Sequence, residues 1–304
     1  MPSSAFGPSP GPRSPSPERV AEVRRRFAEE ARAESPDLAT LCLLIGAQAD
    51  AALDDAGIDA GQLALDELAG MLPFRPGGPG AWAAALREVL GARLGFHGSP
   101  AEYGRLEASL LHRVLERRRG LPILLSVVWV EVARRAGAPV HGVALPGHFV
   151  VGLGPVGRRP VLVDPFDGGR VLSEGEVERL VAGATDVGAT GVGAGAVGGG
   201  LGPGVLAPAG VVQVVRRVLN NVGVWARGRP ERVEVALWAV ELGLLLPSHA
   251  ARLRYERGRL LVERGDFVGG AVELEGYAEV VEGVDAGAAE VVRGEARAAR
   301  ARLN

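Results

Sequence analysis

A histidine and an aspartate on consecutive predicted strands have the clearest chemical potential in this sequence. His148 opens the apolar segment 148–151, and Asp164 ends the segment 160–164. If the intervening loop is centred near Val156, residues whose numbers sum to 312 face each other, and His148 stands opposite Asp164. Facing residues of antiparallel strands have Cβ atoms roughly 4.5–5.5 Å apart. The spacing therefore predicts an imidazole–carboxylate hydrogen bond, which orients the general base in acyl-transfer chemistry.

Acyl transfer also needs a nucleophile beside that base, and the sequence offers two candidates. Cys42 is the only cysteine and lies in an apolar helical run, where nothing nearby would lower its thiol pKa. We interpret it as a core residue, with delivery to the site from elsewhere in the fold as the alternative. Ser126 lies on a predicted helix, 122–136. Its hydroxyl either faces His148 or bonds the carbonyl four residues back.

The remaining glycine motifs and histidines predict neither a cofactor nor a metal. A first GxGxxG match links two strands instead of opening a helix, and a second lies in low-complexity sequence. These matches are Gly152, Gly154 and Gly157, then Gly193, Gly195 and Gly198. The other histidines, which show no metal-ligand spacing, are His97, His112, His141 and His249.

The composition limits the classes of partner and compartment. The chain has 304 residues, is 47% hydrophobic and carries a formal net charge of −2. It can therefore bury a core, and its charge gives no basis for nucleic-acid binding. One cysteine excludes a disulfide within the chain. The sequence shows no secretory signal and no apolar run of about 18 residues that would span a membrane. These features predict a cytoplasmic protein.

The segments that must position these residues divide the chain into five parts. Residues 1–17, with six prolines, predict a disordered tail. Residues 18–99 show helical periodicity, and 100–182 combine a central helix with antiparallel strands. A Gly-rich linker is predicted at 183–210, of which 183–205 is low-complexity sequence. Residues 211–304 are again helical, with two similar turns 37 residues apart, a spacing typical of tetratricopeptide-like units. The fold class is predicted to be α+β.

Several motifs at matching intervals resemble the SirB-one family of bacterial transglutaminase-like proteins over roughly residues 100–282. They are Arg118-Arg119-Gly120-Leu121-Pro122, Leu125-Ser126, Ala133-Arg134-Arg135-Ala136-Gly137, Pro146-Gly147-His148-Phe149, Asp164-Pro165-Phe166-Asp167-Gly168-Gly169 and Leu219-Asn220-Asn221. Ala108, where the family usually has an asparagine, departs from the pattern. The resemblance implies a papain-like/transglutaminase-like core, a central helix packed on an antiparallel sheet, followed by a tetratricopeptide-like C-terminal region.

The resemblance also implies where a nucleophile would stand. Active relatives place a cysteine at the N-terminus of the central helix, a position that falls at Pro122 here, and the family tends to lack that cysteine. The leading hypothesis is therefore a pseudoenzyme without cofactor or metal that binds a protein or peptide, with a regulatory association. Its groove would be lined by His148 and Asp164 together with Arg119, Gly120, Pro122, Pro146, Gly147, Phe149 and Phe166.

Two other functions remain open on the sequence. One is an acyl-transfer or amide-hydrolysing enzyme, with His148 as base, Asp164 as its orienting carboxylate, and Ser126 or Cys42 as nucleophile. The other is a scaffold in which the histidine and aspartate only stabilise the sheet.

Overall fold

The N-terminal segment forms helices because apolar residues recur at helical spacing behind capping side chains. Ser16 caps the first helix by accepting a hydrogen bond from the Arg19 amide (3.3 Å), and Pro17 occupies its first position. Val23 and Phe27 form its buried stripe. In this computed structural model, the described residues are 14–74, 77–186, 204 and 206–303, with the side chains of 183–186 left out.

The helices before the sheet largely follow the predicted pattern, with two differences. The helical periodicity predicted across 18–99 is interrupted after Ala49, and Asp54 caps a separate helix. The segment 108–120 is α-helical only from Leu111, because 3-10 turns precede it. The helices are α1 (Pro17–Ala31), α2 (Leu38–Ala49), α3 (Asp55–Gly70), α4 (Pro79–Leu86), which continues as a π-helix (Arg87–Arg93), α5 (Leu111–Arg117) and α6 (Pro122–Arg135).

Helix α6 is the central element, as predicted. Pro122 is its first residue, and Gly137 follows its end with a left-handed φ of 83°. Its side chains are buried on nearly every face, because α6 packs against α2 and α3 on one side and the sheet on the other.

Across the residues that the structure describes, four antiparallel strands lie in the order β1-β2-β3-β4. They are β1 (Val140–Leu145), β2 (His148–Leu153), β3 (Val161–Asp164) and β4 (Arg170–Val171). Strands β2 and β3 correspond to the predicted segments 148–151 and 160–164; β4 was not predicted, because two residues carry no periodic signal.

The predicted register between β2 and β3 is wrong by two residues. Val151 faces Val163, so the intervening loop is centred on Gly157 and not on Val156. Gly154 and Gly157 both adopt positive φ in this loop, which places the turn one residue later than expected. A shift of two residues keeps every side chain on its predicted face, since strand side chains alternate with a period of two.

The C-terminal region is helical, and the α+β class is confirmed. Helix α7 (Glu174–Asp186) follows the sheet, and the C-terminal region contains α8 (Val211–Ala226), α9 (Val233–Leu245), α10 (Arg252–Arg264), α11 (Phe267–Glu282) and α12 (Ala286–Ala301). The predictions for residues 1–17 and 183–205 fall mostly outside the described residues, although α7 continues to Asp186. None of the helices in the described part combines the length and apolarity needed to cross a bilayer.

The buried apolar residues in the described part of the chain form three clusters. The largest runs from α1 through α6 and the inner sheet face to α8 and α9. A second lies between the outer sheet face and α7, and a third between α11 and α12. The first cluster joins the N-terminal helices, the sheet and α8 in one core. The domain boundaries at 99/100 and 210/211 thus stay predictions, and continuous packing crosses both.

Candidate functional site

The hydrogen bond expected between His148 and Asp164 is present. His148 Nε2 lies 2.9 Å from Asp164 Oδ2, and the two side chains are 14% and 10% exposed. The other carboxylate oxygen accepts from the Phe166 amide at 3.0 Å. Because an ionised carboxylate only accepts hydrogen bonds, Nε2 carries the proton in this pair. Nδ1 is then the ring nitrogen left to accept a proton from another group.

The strand ends bring these side chains together along a diagonal. His148 is the first residue of β2, and Asp164 is the last residue of β3. Continuing the observed register places Asp164 opposite Val150, two residues from His148. Diagonal neighbours on one face lie about 7–8 Å apart, which long side chains can span. The predicted contact therefore forms despite the wrong register.

An aromatic row of Tyr103, Phe166 and His148 lies beside this pair. The Phe166 ring stands edge-on to His148 at 6.3 Å between centroids, and Tyr103 lies 6.2 Å from Phe166 on its other side. The pKa of Tyr103 is raised by desolvation and further by the Asp164 charge, while Arg217 acts in the opposite direction. The row therefore combines an apolar surface with titratable groups at both ends.

The position of Phe166 depends on a glycine. The Gly98 amide donates to the Phe166 carbonyl at 2.9 Å, and a methyl group at Gly98 would overlap the Phe166 ring. Only a residue without a side chain allows the 98–104 segment to lie this close to the loop after β3.

Arg217, on α8, contacts the other side of the site. Its guanidinium donates to the carbonyls of Leu145 (3.0 Å) and His148 (2.8 Å) and lies over the Phe149 ring at 5.7 Å. Desolvation lowers the Arg217 pKa. Neither Arg217 nor Tyr103 was predicted as a site residue. No local pattern marks them, because both reach the site from segments distant in sequence.

None of the three candidate nucleophile positions presents a reactive group to His148. Ser126 is fully buried and donates to the Phe149 carbonyl at 3.2 Å, so it bonds neither His148 nor the carbonyl four residues back. Cys42 is buried in α2, and desolvation raises its thiol pKa far above the ordinary value. Pro122 occupies the start of α6.

The residues predicted to line a groove divide into two sets. Pro146 and Gly147 are exposed and Phe166 is partly exposed beside His148. Gly120, Pro122 and Phe149 are buried, and their assignment to a binding groove stays a prediction. Phe149 points to the opposite face of β2 from His148, and helix packing covers the other two.

Arg119 is also directed away from the pair. Its guanidinium donates to the carbonyls of Gly95 (2.5 Å) and Arg118 (2.9 Å), which fixes the loop after the π-helix.

Two cavities lie elsewhere in the described part of the chain. One cavity of about 340 Å³ lies between β3, β4 and α7, and another of similar volume lies beside Arg26 and Thr40. His148 and Asp164 line neither. Among the described residues, no cluster of three or more His, Cys, Asp or Glu side chains has the arrangement of a metal site.

Comparisons with known proteins agree with this architecture. Residues 47–220 match the family model described as transglutaminase-like superfamily, and residues 225–304 match a tetratricopeptide-repeat model. A UPF0162 protein of Xylella fastidiosa (strain 9a5c) is 46% identical over 98 residues, which are 32% of this chain and 34% of that protein. F-box only protein 21 of Mus musculus is 33% identical over 104 residues, 32% of this chain and 17% of that protein.

The matched segment thus spans about a third of the bacterial relative's length. A crystal structure of menin that reveals its binding site for Mixed Lineage Leukemia protein matches with a TM-score of 0.39 and 13% identity, over 88% of this chain and 71% of that one. The transglutaminase-like model, by contrast, matches more than half of the chain and coincides with the segment that carries α6, the sheet and the His148–Asp164 pair. The chain therefore belongs to the transglutaminase-like superfamily.

Proposed function

We propose that this chain is a SirB-one-type protein whose transglutaminase-like core is non-catalytic and binds a protein or peptide beside His148. The tetratricopeptide-like helices provide a second interaction surface, and the binding serves a regulatory role. A single buried cysteine suits a reducing compartment, so the cytoplasm is the proposed location.

One observation carries this proposal: the orienting pair is intact where the nucleophile is missing. His148 and Asp164 keep a 2.9 Å hydrogen bond, while Pro122 begins the helix that carries the nucleophile in active relatives. Ser126 and Cys42 are buried and directed elsewhere. Covalent acyl transfer needs a nucleophile within hydrogen-bond reach of its base. Without one, recognition is the function that the site supports best.

The exposed residues around the pair suit contact with a peptide. Tyr103 is 55% exposed, and Pro146 and Gly147 form an exposed turn directly before His148. Aromatic side chains provide much of the binding energy at protein interfaces. Tetratricopeptide repeats independently suggest protein partners.

An enzymatic function is the second candidate, and the geometry of the pair favours it. With Nε2 bonded to Asp164, Nδ1 of His148 could accept a proton from Ser126 or from Cys42 if either group moved. Such an enzyme would catalyse acyl transfer or amide hydrolysis.

Electrophilic probes for thiols and for serine hydrolases distinguish these functions. The native protein is treated with each probe, and peptide mapping locates the adducts. We expect no labelling of Ser126 or Cys42 above the rate seen after denaturation. Rapid labelling of either residue that is lost in His148→Ala would overturn the proposal. Ser126→Ala is the matched control, because it removes the hydroxyl and keeps the helix.

Photo-crosslinking tests binding at the site itself. A benzophenone amino acid replaces Pro146, and in a control it replaces Val156, which is 72% exposed at the other end of the same strand pair. We expect a discrete crosslinked partner at position 146 but not at 156, with a reduced yield in His148→Ala. Equal crosslinking at both positions would contradict a binding site beside His148.

A further inference from the structure

The turn that precedes His148 has a conformation that suits a two-residue hairpin poorly. Pro146 and Gly147 connect β1 and β2, and Gly147 alone has a positive φ, 67°. Proline at the first central position and a positive φ at the second correspond to a type II turn. Two-residue hairpins favour type I′ or II′ turns, because type II opposes the natural twist of the strands. This turn therefore needs support from outside the hairpin.

Arg217 provides that support. Its two terminal nitrogens donate to the carbonyls of the residues flanking the turn, Leu145 and His148. Among the residues that the structure describes, no carboxylate forms an ion pair with the partly buried Arg217, although charges removed from water usually have such a partner. The peptide carbonyls of the turn are thus the main polar partners of this guanidinium. The planar fork of arginine fits two acceptors at once, which a lysine cannot reproduce.

The same helix also holds the opposite end of the aromatic row. Trp225 donates from Nε1 to the Gly104 carbonyl at 2.9 Å, directly after Tyr103. Arg232 stacks on the Trp225 ring at 3.7 Å and donates to its carbonyl. Arg217 and Trp225 are separated by roughly 12 Å along α8 at 1.5 Å per residue. One rigid helix therefore contacts the segments that carry both His148 and Tyr103.

We propose that Arg217 is a positioning residue for His148. By bridging the Leu145 and His148 carbonyls, it fixes the backbone from which the imidazole reaches Asp164, and α8 thereby sets the spacing of the aromatic row. The significance of this role rests on the proposed binding function. The positioning itself is measurable on the free protein without any partner.

Nitrogen-15 NMR of histidine rings tests the proposal directly. The protein is labelled on its five histidines, and His148→Gln assigns the His148 signals. We expect wild-type His148 to show an Nε2-bound proton that exchanges slowly with water. In Arg217→Met, exchange should become about tenfold faster, the change expected when a hydrogen-bonded support is lost. Arg217→Lys should give a smaller effect.

Arg216→Met is the matched control, because Arg216 is the exposed neighbour on the same helix and donates to the Ser248 carbonyl at 3.4 Å. It should leave the His148 signals unchanged. If Arg217→Met does not fold, Arg217→Lys carries the test through the same exchange measurement at His148. Unchanged His148 signals in folded Arg217 variants would overturn the positioning role. Absence of a partner crosslink at position 146 would instead count against the binding function alone.

Discussion

The Asp164 carboxylate has two hydrogen-bond partners, a side chain and a backbone amide, and His148 is the side-chain partner in the free protein. One carboxylate oxygen accepts from a backbone amide, and the other accepts from the imidazole. With only 10% of its side chain exposed, Asp164 has little water to replace a lost partner. Binding and structural roles of His148 are therefore not exclusive, because the same hydrogen bond orients the ring and satisfies a buried charge.

Replacement of His148 by alanine should destabilise the protein without unfolding it. Asp164 loses its imidazole partner but keeps the Phe166 amide, so the free energy of unfolding should fall by about 1–3 kcal/mol. Urea denaturation followed by circular dichroism measures this loss. The control is His249→Ala, at an exposed position, where we expect a much smaller change. Equal stability of both variants would contradict the assigned role of the hydrogen bond.

Buried His112 should make the free energy of unfolding depend on pH. Within the described residues, neither ring nitrogen of buried His112 has a hydrogen-bond partner, and the Asp50 carboxylate lies 3.7 Å from Nε2, beyond hydrogen-bond distance. Burial lowers the His112 pKa, and the positive charge of Arg113 lowers it further, against the opposing charges of Glu116 and Asp50. The folded protein therefore keeps this imidazole neutral at pH values where the unfolded chain, with a pKa of about 6.5, binds a proton.

Stability should consequently fall as the pH drops below about 6.5, with a slope of up to roughly 1.4 kcal/mol per pH unit for this group. Urea midpoints measured between pH 7.5 and 5 in steps of roughly half a unit test the sign and size of the effect. His112→Gln should flatten the slope, whatever it does to absolute stability. Part of the slope should persist, because burial also lowers the pKa of His141. An unchanged slope in His112→Gln would be inconsistent with a buried neutral imidazole.

At the scale of elements, the site depends on a close approach between the 98–104 segment and the loop after β3. In Gly98→Ala, the added methyl group must displace the Phe166 ring. We expect a loss of about 1–3 kcal/mol from overpacking, together with altered His148 ring signals. Gly104→Ala is the control, since its methyl group would meet open space. A Gly98→Ala protein as stable as Gly104→Ala would mean that Phe166 moves freely.

Elements with strong local signals were predictable, and those set by distant contacts were not. Pro122 and Gly137 bracket α6, and its all-round apolar pattern identified a central helix. The register of β2 and β3 was wrong because it depends on which glycine centres the loop, and sequence periodicity does not specify that. Tyr103 and Arg217 were missed because their contacts with the site form only when separate segments pack together.

At the scale of the whole molecule, the C-terminal helices have a core of their own. Leu274 and Ala271 of α11 pack with α12 in a cluster separate from the main core. Arg257 of α10 forms ion pairs with Glu241 of α9 at 3.2 Å and with Glu273 of α11 at 2.6 Å, which connects this cluster to α9. We therefore expect α11 and α12 to unfold locally at a lower free energy than the core around α6, as contiguous units with separate cores often do.

Leu274→Ala should reveal this division. Leu274 is 1% exposed, so its truncation should cost about 2–5 kcal/mol within its own cluster. Hydrogen exchange followed by mass spectrometry should show lost protection in α11 and α12, with protection of α6 and the sheet retained. Val272→Ala, 57% exposed on the same helix, is the control. Uniform loss of protection throughout the chain would show that the two cores unfold together.

Helix α8 follows the predicted Gly-rich linker, yet it packs into the main core, so the chain cannot be truncated before α8 without exposing that core. Four of its valines, Val214, Val215, Val218 and Val222, are buried in the main core. A fragment that ends at residue 210 would expose the apolar core surface against which these valines pack, and we expect it to aggregate. A fragment that ends at residue 226 would include α8 and keep this core surface covered. Cleavage at an inserted protease site before α8 should likewise leave two pieces that co-elute, since the helix binds the first piece without a covalent link.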